Sequence, residues 1–160
     1  MKTYGISATR VLDVKDCDVD AVVIKDIQSP AEALFTKTRW RSFMSFVDDI
    51  NEEVKKLKEN KTEFRYCQAY GGGWKVSVSS GFWCVDLRQF YLNEEGEEKP
   101  TRHGIALRLR EWEMLMNTID RMRIEHPDLF AGIPLCNHDH LLEWLRCPEC
   151  LPYTHDRRNV

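Results

Sequence analysis

A chain of 160 residues can bury one good core, or two small ones that share an interface. Its net charge is −3, 31% of its residues are charged and 42% are hydrophobic, the balance of a globular protein. It has no apolar run near the ~20 residues of a membrane span, MKTYGISATR lacks the apolar stretch of a secretory signal, and six unevenly placed cysteines do not make a secreted disulfide scaffold, so a reducing compartment is expected.

Residues 4–28 hold two runs of branched residues, VLDV and VDAVVIKDI, parted by Asp16-Cys17-Asp18, and these predict a strand pair. Ser29-Pro30 breaks the pattern. From Thr36 to Asn60, Trp40, Phe43, Val47, Ile50, Val54 and Leu57 recur at alternating spacings of three and four, which predicts one long helix. Lys55, Lys56 and Lys58 gather in its last turns, where positive charge suits the helix dipole.

Lys61 to Gly73 is a connector in which Phe64, Tyr66 and Tyr70 offer a further strand, and its three closing glycines are expected to form a hinge. They are not a phosphate loop, because no Gly-Lys-Ser/Thr follows. Trp74, Val76 and Val78 then alternate with Lys75 and Ser77, the period of a half-buried strand. Ser79 to Gly81 is a turn, and Phe82 to Leu92 is a second strand. Asn93 to Thr101 has no apolar residue and contains Gly96 and Pro100, which predicts a solvated loop. Gly104 to Leu107 is a brief strand, after which Trp112, Leu115, Ile119 and Met122 line one side of a helix that ends at His126-Pro127.

The two helices share a pattern. Trp40, Phe43, Val47 and Ile50 match Trp112, Leu115, Ile119 and Met122 at a constant offset of 72, and Asp48 matches Asp120. The first half therefore reads as a worn copy of the second, and the chain as its own pseudo-dimer; the alternative is a support layer in a chain that dimerises as a whole. Either way, both helices belong in the core.

VSV, VDLRQFY, NEEGEEKPTRHGIAL and a Trp in the following helix, in that order, resemble the C-terminal domain of positive cofactor 4, a transcriptional coactivator that binds single-stranded DNA. The resemblance covers roughly a third of the chain. It implies an α+β fold, a curved four-stranded antiparallel sheet backed by one amphipathic helix, with dimerisation through the helices. It also implies single-stranded DNA as partner, the RNA polymerase II transcription machinery as a possible further one, and a nuclear location in a eukaryote or a virus that replicates there.

Single strands are held by cations along the backbone and by aromatic faces under the bases. Residues 61–112 contain eight Lys or Arg against seven Asp or Glu, but four of those acids fall between Glu94 and Glu98, so the rest of the sheet region is basic. By motif position the resemblance places DNA contacts at Lys75, Arg88, Tyr91, Lys99, Arg102 and His103, with Tyr91 where a Trp is typical and His103 where a lysine is usual. Strict alternation puts Arg88 and Tyr91 on opposite faces of one strand unless the chain bulges. Trp74, Phe82, Trp83 and Phe90 are further aromatic candidates, Phe90 reading more readily as core. Arg108 and Arg110 read either as contacts or as the solvated start of the helix. No H-E-x-x-H, G-x-S-x-G or P-loop is present, and a non-enzymatic protein is expected.

The last segment, LCNHDHLLEWLRCPECLPY, has the spacing of a zinc knuckle. Cys136, His140, Cys147 and Cys150 form the preferred ligand set, with His138 as the alternative histidine. Four protein ligands leave no open position, so a zinc ion here is structural, and it would supply folding free energy to a segment too short for a core of its own. The expected organisation is thus 1–60 as a degenerate sheet-plus-helix half, 61–127 as the single-strand-binding unit and 128–160 as the zinc tail. The alternative is a protein-interaction module that kept the fold without the ligand and docks through that tail. Elemental analysis of protein never exposed to chelator is expected to find about one zinc per chain, and a metal-free result would remove the knuckle.

Overall fold

The computed structural model describes residues 1–17, 19–59 and 63–131. The predicted zinc ligands Cys136, His140, Cys147 and Cys150 lie outside them, and among the described residues no His, Cys, Asp and Glu group could hold a metal.

Over the described residues the fold is α+β, with two four-stranded antiparallel sheets. The first consists of β1 (Lys2–Gly5), β2 (Arg10–Val14), β3 (Val22–Asp26) and β4 (Glu32–Phe35), paired in chain order. Two of these strands go beyond the expected strand pair. β1 and β4 have four residues each, too few for alternation to show. Residues 37–58 are two helices instead of one, α1 (Lys37–Ser45) and α2 (Val47–Lys58). The break has a local cause: the Ser45 hydroxyl donates to the Ser42 carbonyl, and the Phe46 N–H turns to the Phe43 carbonyl at 3.0 Å. Trp40 and Phe43 are buried before the break, and Ile50, Val54 and Leu57 after it.

The second sheet consists of β5 (Arg65–Gly71), β6 (Trp74–Ser79), β7 (Cys84–Leu92) and β8 (Glu98–Arg108), also in chain order. The three glycines are a tight hairpin turn and not a hinge. Gly71, Gly72 and Gly73 have φ of 113°, 65° and 84°, and the Gly72 carbonyl accepts from Gln89 Nε2 at 3.0 Å. The expected solvated loop shrinks to residues 93–97, where Asn93 Oδ1 accepts the N–H groups of Glu95 and Glu97 at 2.9 Å each. Glu98 to Thr101 joins β8, an edge strand that tolerates Pro100. α3 (Leu109–Glu125) follows, with Trp112, Leu115, Ile119 and Met122 buried as their spacing predicts.

Among the described residues one hydrophobic cluster contains residues of both sheets and of α1, α2 and α3. α1 and α2 pack on β5 and β6 of the second sheet, α3 packs on β7 and β8, and β4 lies against β8. Aromatic rings join the parts: Phe35 of β4 stacks on Tyr70 of β5 at 5.4 Å and meets Trp40 edge-on at 5.1 Å, while Phe43 of α1 meets Trp112 of α3 edge-on at 6.0 Å. Trp112 Nε1 donates to Asn51 Oδ1 of α2 at 2.8 Å, so this side chain carries both apolar contact and a polar tie.

Replacing Trp112 by Ala is expected to cost about 3–5 kcal/mol in denaturant unfolding, whereas Trp112→Phe, which keeps a ring but not the donor, should cost less, about 1–2 kcal/mol. Equal losses would mean that the ring does not bridge α1 and α2 to α3.

Candidate nucleic-acid interface

Side chains on the outer face of the second sheet follow from the register. Val76, Leu87 and Ile105 align across β6, β7 and β8 and are buried beneath the helices. Their neighbours in sequence point the other way and form a row running Ala69, Lys75, Arg88, Gly104, with Cys67, Ser77, Asp86, Ala106 beside it. Lys75 and Arg88 are therefore direct cross-strand partners, an arrangement of like charges that is unfavourable unless something negative lies over it.

Carboxylates of the chain itself relieve that repulsion. The Lys75 ammonium pairs with Glu98 and stands 5.2 Å from the Phe90 ring centroid. Arg88 donates to both oxygens of Asp86 at 3.3 Å, and to the Thr101 carbonyl at 3.3 Å. Lys99 is 3.9 Å from Glu97. All are partly exposed pairs, worth at most ~1 kcal/mol each, so an incoming phosphate can exchange with them.

A groove of about 900 Å³ opens on this face, walled by Arg65, Arg88, Phe82, Cys84, Phe90 and Pro100 among others. At its end, the β6–β7 turn presents Phe82 at 68% exposure and Trp83 at 55%. Burial first, and then the charge of Asp86, push the Cys84 thiol above its usual pKa, so it serves as a neutral wall.

β8 carries a wide irregularity opposite Gln89, where Thr101, Arg102 and His103 take the space of one residue on β7. The buried Thr101 hydroxyl donates to the Gln89 carbonyl at 2.8 Å and accepts the His103 N–H at 3.0 Å. Arg102 is exposed, and His103 is half-buried with Nε2 unpartnered among the described residues.

Of the six predicted contacts, Lys75 and Arg88 are brought together, and Arg102 and His103 stand in the irregularity beside Arg88. Tyr91 and Lys99 pair with each other one step out of phase with Arg88, which puts them on the opposite face. Phe90, which the sequence assigned more readily to the core, takes the groove position instead. Its spacing of two from Arg88 was the available signal.

The first sheet presents a different face. The register there gives Gly5, Val11, Lys25, Glu32 in one row and Thr3, Asp13, Val23, Leu34 in the next. Lys25 pairs with Asp13 at 3.0 Å. Burial raises the Asp13 pKa, but the Thr3 hydroxyl at 2.7 Å and Lys25 outweigh burial and hold it below the usual 3.8. No second cation lies beside Lys25 in these rows, so the paired cations belong to the second sheet.

An antiparallel sheet whose outer face carries adjacent cations in exchangeable ion pairs beside aromatic rings, with a helix behind it, is a class of fold suited to extended polyanions. Residues 74–118, from β6 into α3, match the family model described as Transcriptional Coactivator p15 (PC4), the family named by the resemblance. No curated protein and no solved structure matches the chain. Among the described residues no helix is long and apolar enough to cross a membrane.

Gly104 lets Arg88 lie across β8: a Cβ there would stand 2.6 Å from the Leu87 carbonyl and 2.9 Å from Arg88 Cζ. Gly104→Ala should therefore destabilise by about 1–3 kcal/mol, while Gly5→Ala, which meets nothing within 4 Å, should change stability by less than about 0.5 kcal/mol. Equal unfolding midpoints for the two variants would show that the close approach is absent.

Proposed function

We propose that the outer face of the β5–β8 sheet binds single-stranded DNA without reading its sequence, and that the chain works as a non-enzymatic coactivator-like protein in transcription or replication. The observation that carries this is the Lys75–Arg88 pair, two cations held side by side on one sheet face, with Arg88 lining a groove that also presents Phe82 and Phe90. Backbone phosphates would take the places of Asp86 and Glu98, and bases would stack on the exposed rings. The family match over 74–118 supports the same reading and makes the nuclear transcription machinery the natural partner.

The chain also reads as an intrachain pseudo-dimer. Val22↔Phe35 and Ile24↔Ala33 in the first sheet correspond to Val85↔Leu107 and Leu87↔Ile105 in the second, and Leu12↔Ile24 corresponds to Val76↔Leu87. Phe35 and Ala33 keep the offset of 72 from Leu107 and Ile105 that relates Trp40 to Trp112. The first half is on this reading a divergent copy whose own outer face has lost its paired cations.

Titration of labelled oligothymidine at low salt should show binding that weakens steeply as salt rises. Arg88→Ala should weaken it by roughly tenfold and lower the salt slope by about one, and Arg102→Ala should act in the same direction. Absence of binding at low ionic strength would overturn the proposal.

A further inference from the structure

Arg108 and Arg110 stand just beyond the groove, where β8 passes into α3. Arg108 is the register partner of Cys84, a groove residue, and lies two positions after Ala106, the last groove residue on β8, about 7 Å along the strand. It lines a second cleft of about 590 Å³, together with Arg110 and with Ser7, Thr9 and Gln28 from the turns of the first sheet. The two openings thus follow one another along β8.

The charges in this cleft are unevenly used. Arg10 pairs with Asp26 at 3.2 Å and with Glu111 at 3.0 Å, and also donates to the Ala106 carbonyl. Glu111 further accepts from the Ser7 hydroxyl at 2.7 Å and from the Arg108 N–H at 2.9 Å. Both carboxylates are nearly buried, at 11% and 9% side-chain exposure, and Arg10 pairs with both, offsetting one of their two charges from within. Arg108 and Arg110 are exposed and have no ion-pair partner among the described residues. Arg88 of the groove and its cross-strand neighbour Lys75 each have one. Three arginines against two carboxylates leave the cleft between the halves with a net positive charge, carried at its surface by Arg108 and Arg110 over a floor tied down by hydrogen bonds.

We propose that this cleft is a second backbone-phosphate subsite, reached by a single strand that crosses the β5–β8 sheet and leaves it over Cys84 and Arg108. The first half then takes part in binding through Thr9 and Gln28, although its own sheet face does not. The inference rests on the nucleic-acid reading of the groove and adds a path to it.

The test uses the full chain and oligothymidines of two lengths, about 6 and about 16 nucleotides, spanning the site sizes of single-strand binders. The longer one should bind the wild type more tightly. Arg108→Ser combined with Arg110→Ser should abolish that gain and lower the salt slope for the longer oligonucleotide by about two, leaving the shorter one within about twofold. Gln28→Glu, a separate variant on the first half, should also weaken only the longer one. Equal weakening of both lengths, or no change in either, would overturn the subsite while leaving groove binding intact. Failure of the wild type to bind either length would remove the groove reading and this inference with it.

Discussion

The edge-on contact of Phe43 with Trp112 is the point where the two halves become one body. Each sheet has one face to bury, and neither half covers its own completely: α1 and α2, which follow the first sheet, lie on strands of the second. The rings of Phe35, Trp40, Phe43 and Tyr70 continue that contact as a connected aromatic set. Tyr70 is wholly buried, and burial, only partly opposed by Arg39, holds its hydroxyl neutral with a pKa well above the usual 10.0. A shared core of this kind leaves the outer sheet faces open, because the helices are committed to the inner ones.

What the outer faces can do is decided by charge. On the second sheet Lys75 and Arg88 stay together because Glu98 and Asp86 offset their repulsion, and these partly exposed carboxylates would be weakly held competitors for the phosphates of the proposed ligand. On the first sheet the corresponding places hold Val11 and Lys25, and Lys25 is bound to a carboxylate that is itself buried. Removing a buried partner costs far more than exchanging an exposed one. Two sheets of matching register thus differ in whether their cations can be recruited by a ligand.

The second half was the more legible in sequence. Trp74, Val76 and Val78 alternate over enough residues to declare a strand, and the spacing of Trp112, Leu115, Ile119 and Met122 declared a helix with the right buried side. The motif order from VSV to HGIAL led to the family that the match over 74–118 reports. β1 and β4 did not show, since four residues display too little period. The helix break escaped for a different reason, because a Ser45 side-chain bond leaves the apolar spacing unchanged.

Sequence alone determined which residues are apolar at which period, and hence the strand faces, the helix stripes and the local excess of positive charge, since these depend on side-chain type and backbone geometry over a few residues. Tertiary structure decided that the glycines at 71–73 close a hairpin, that polar Glu98 to Thr101 is strand, and that Phe90 rather than Tyr91 shares the face of Arg88. It also decided which cations are neutralised and which are free. Those outcomes depend on hydrogen bonds and ion pairs between residues far apart in the chain, and pairing of that kind is fixed only when the strands meet in register.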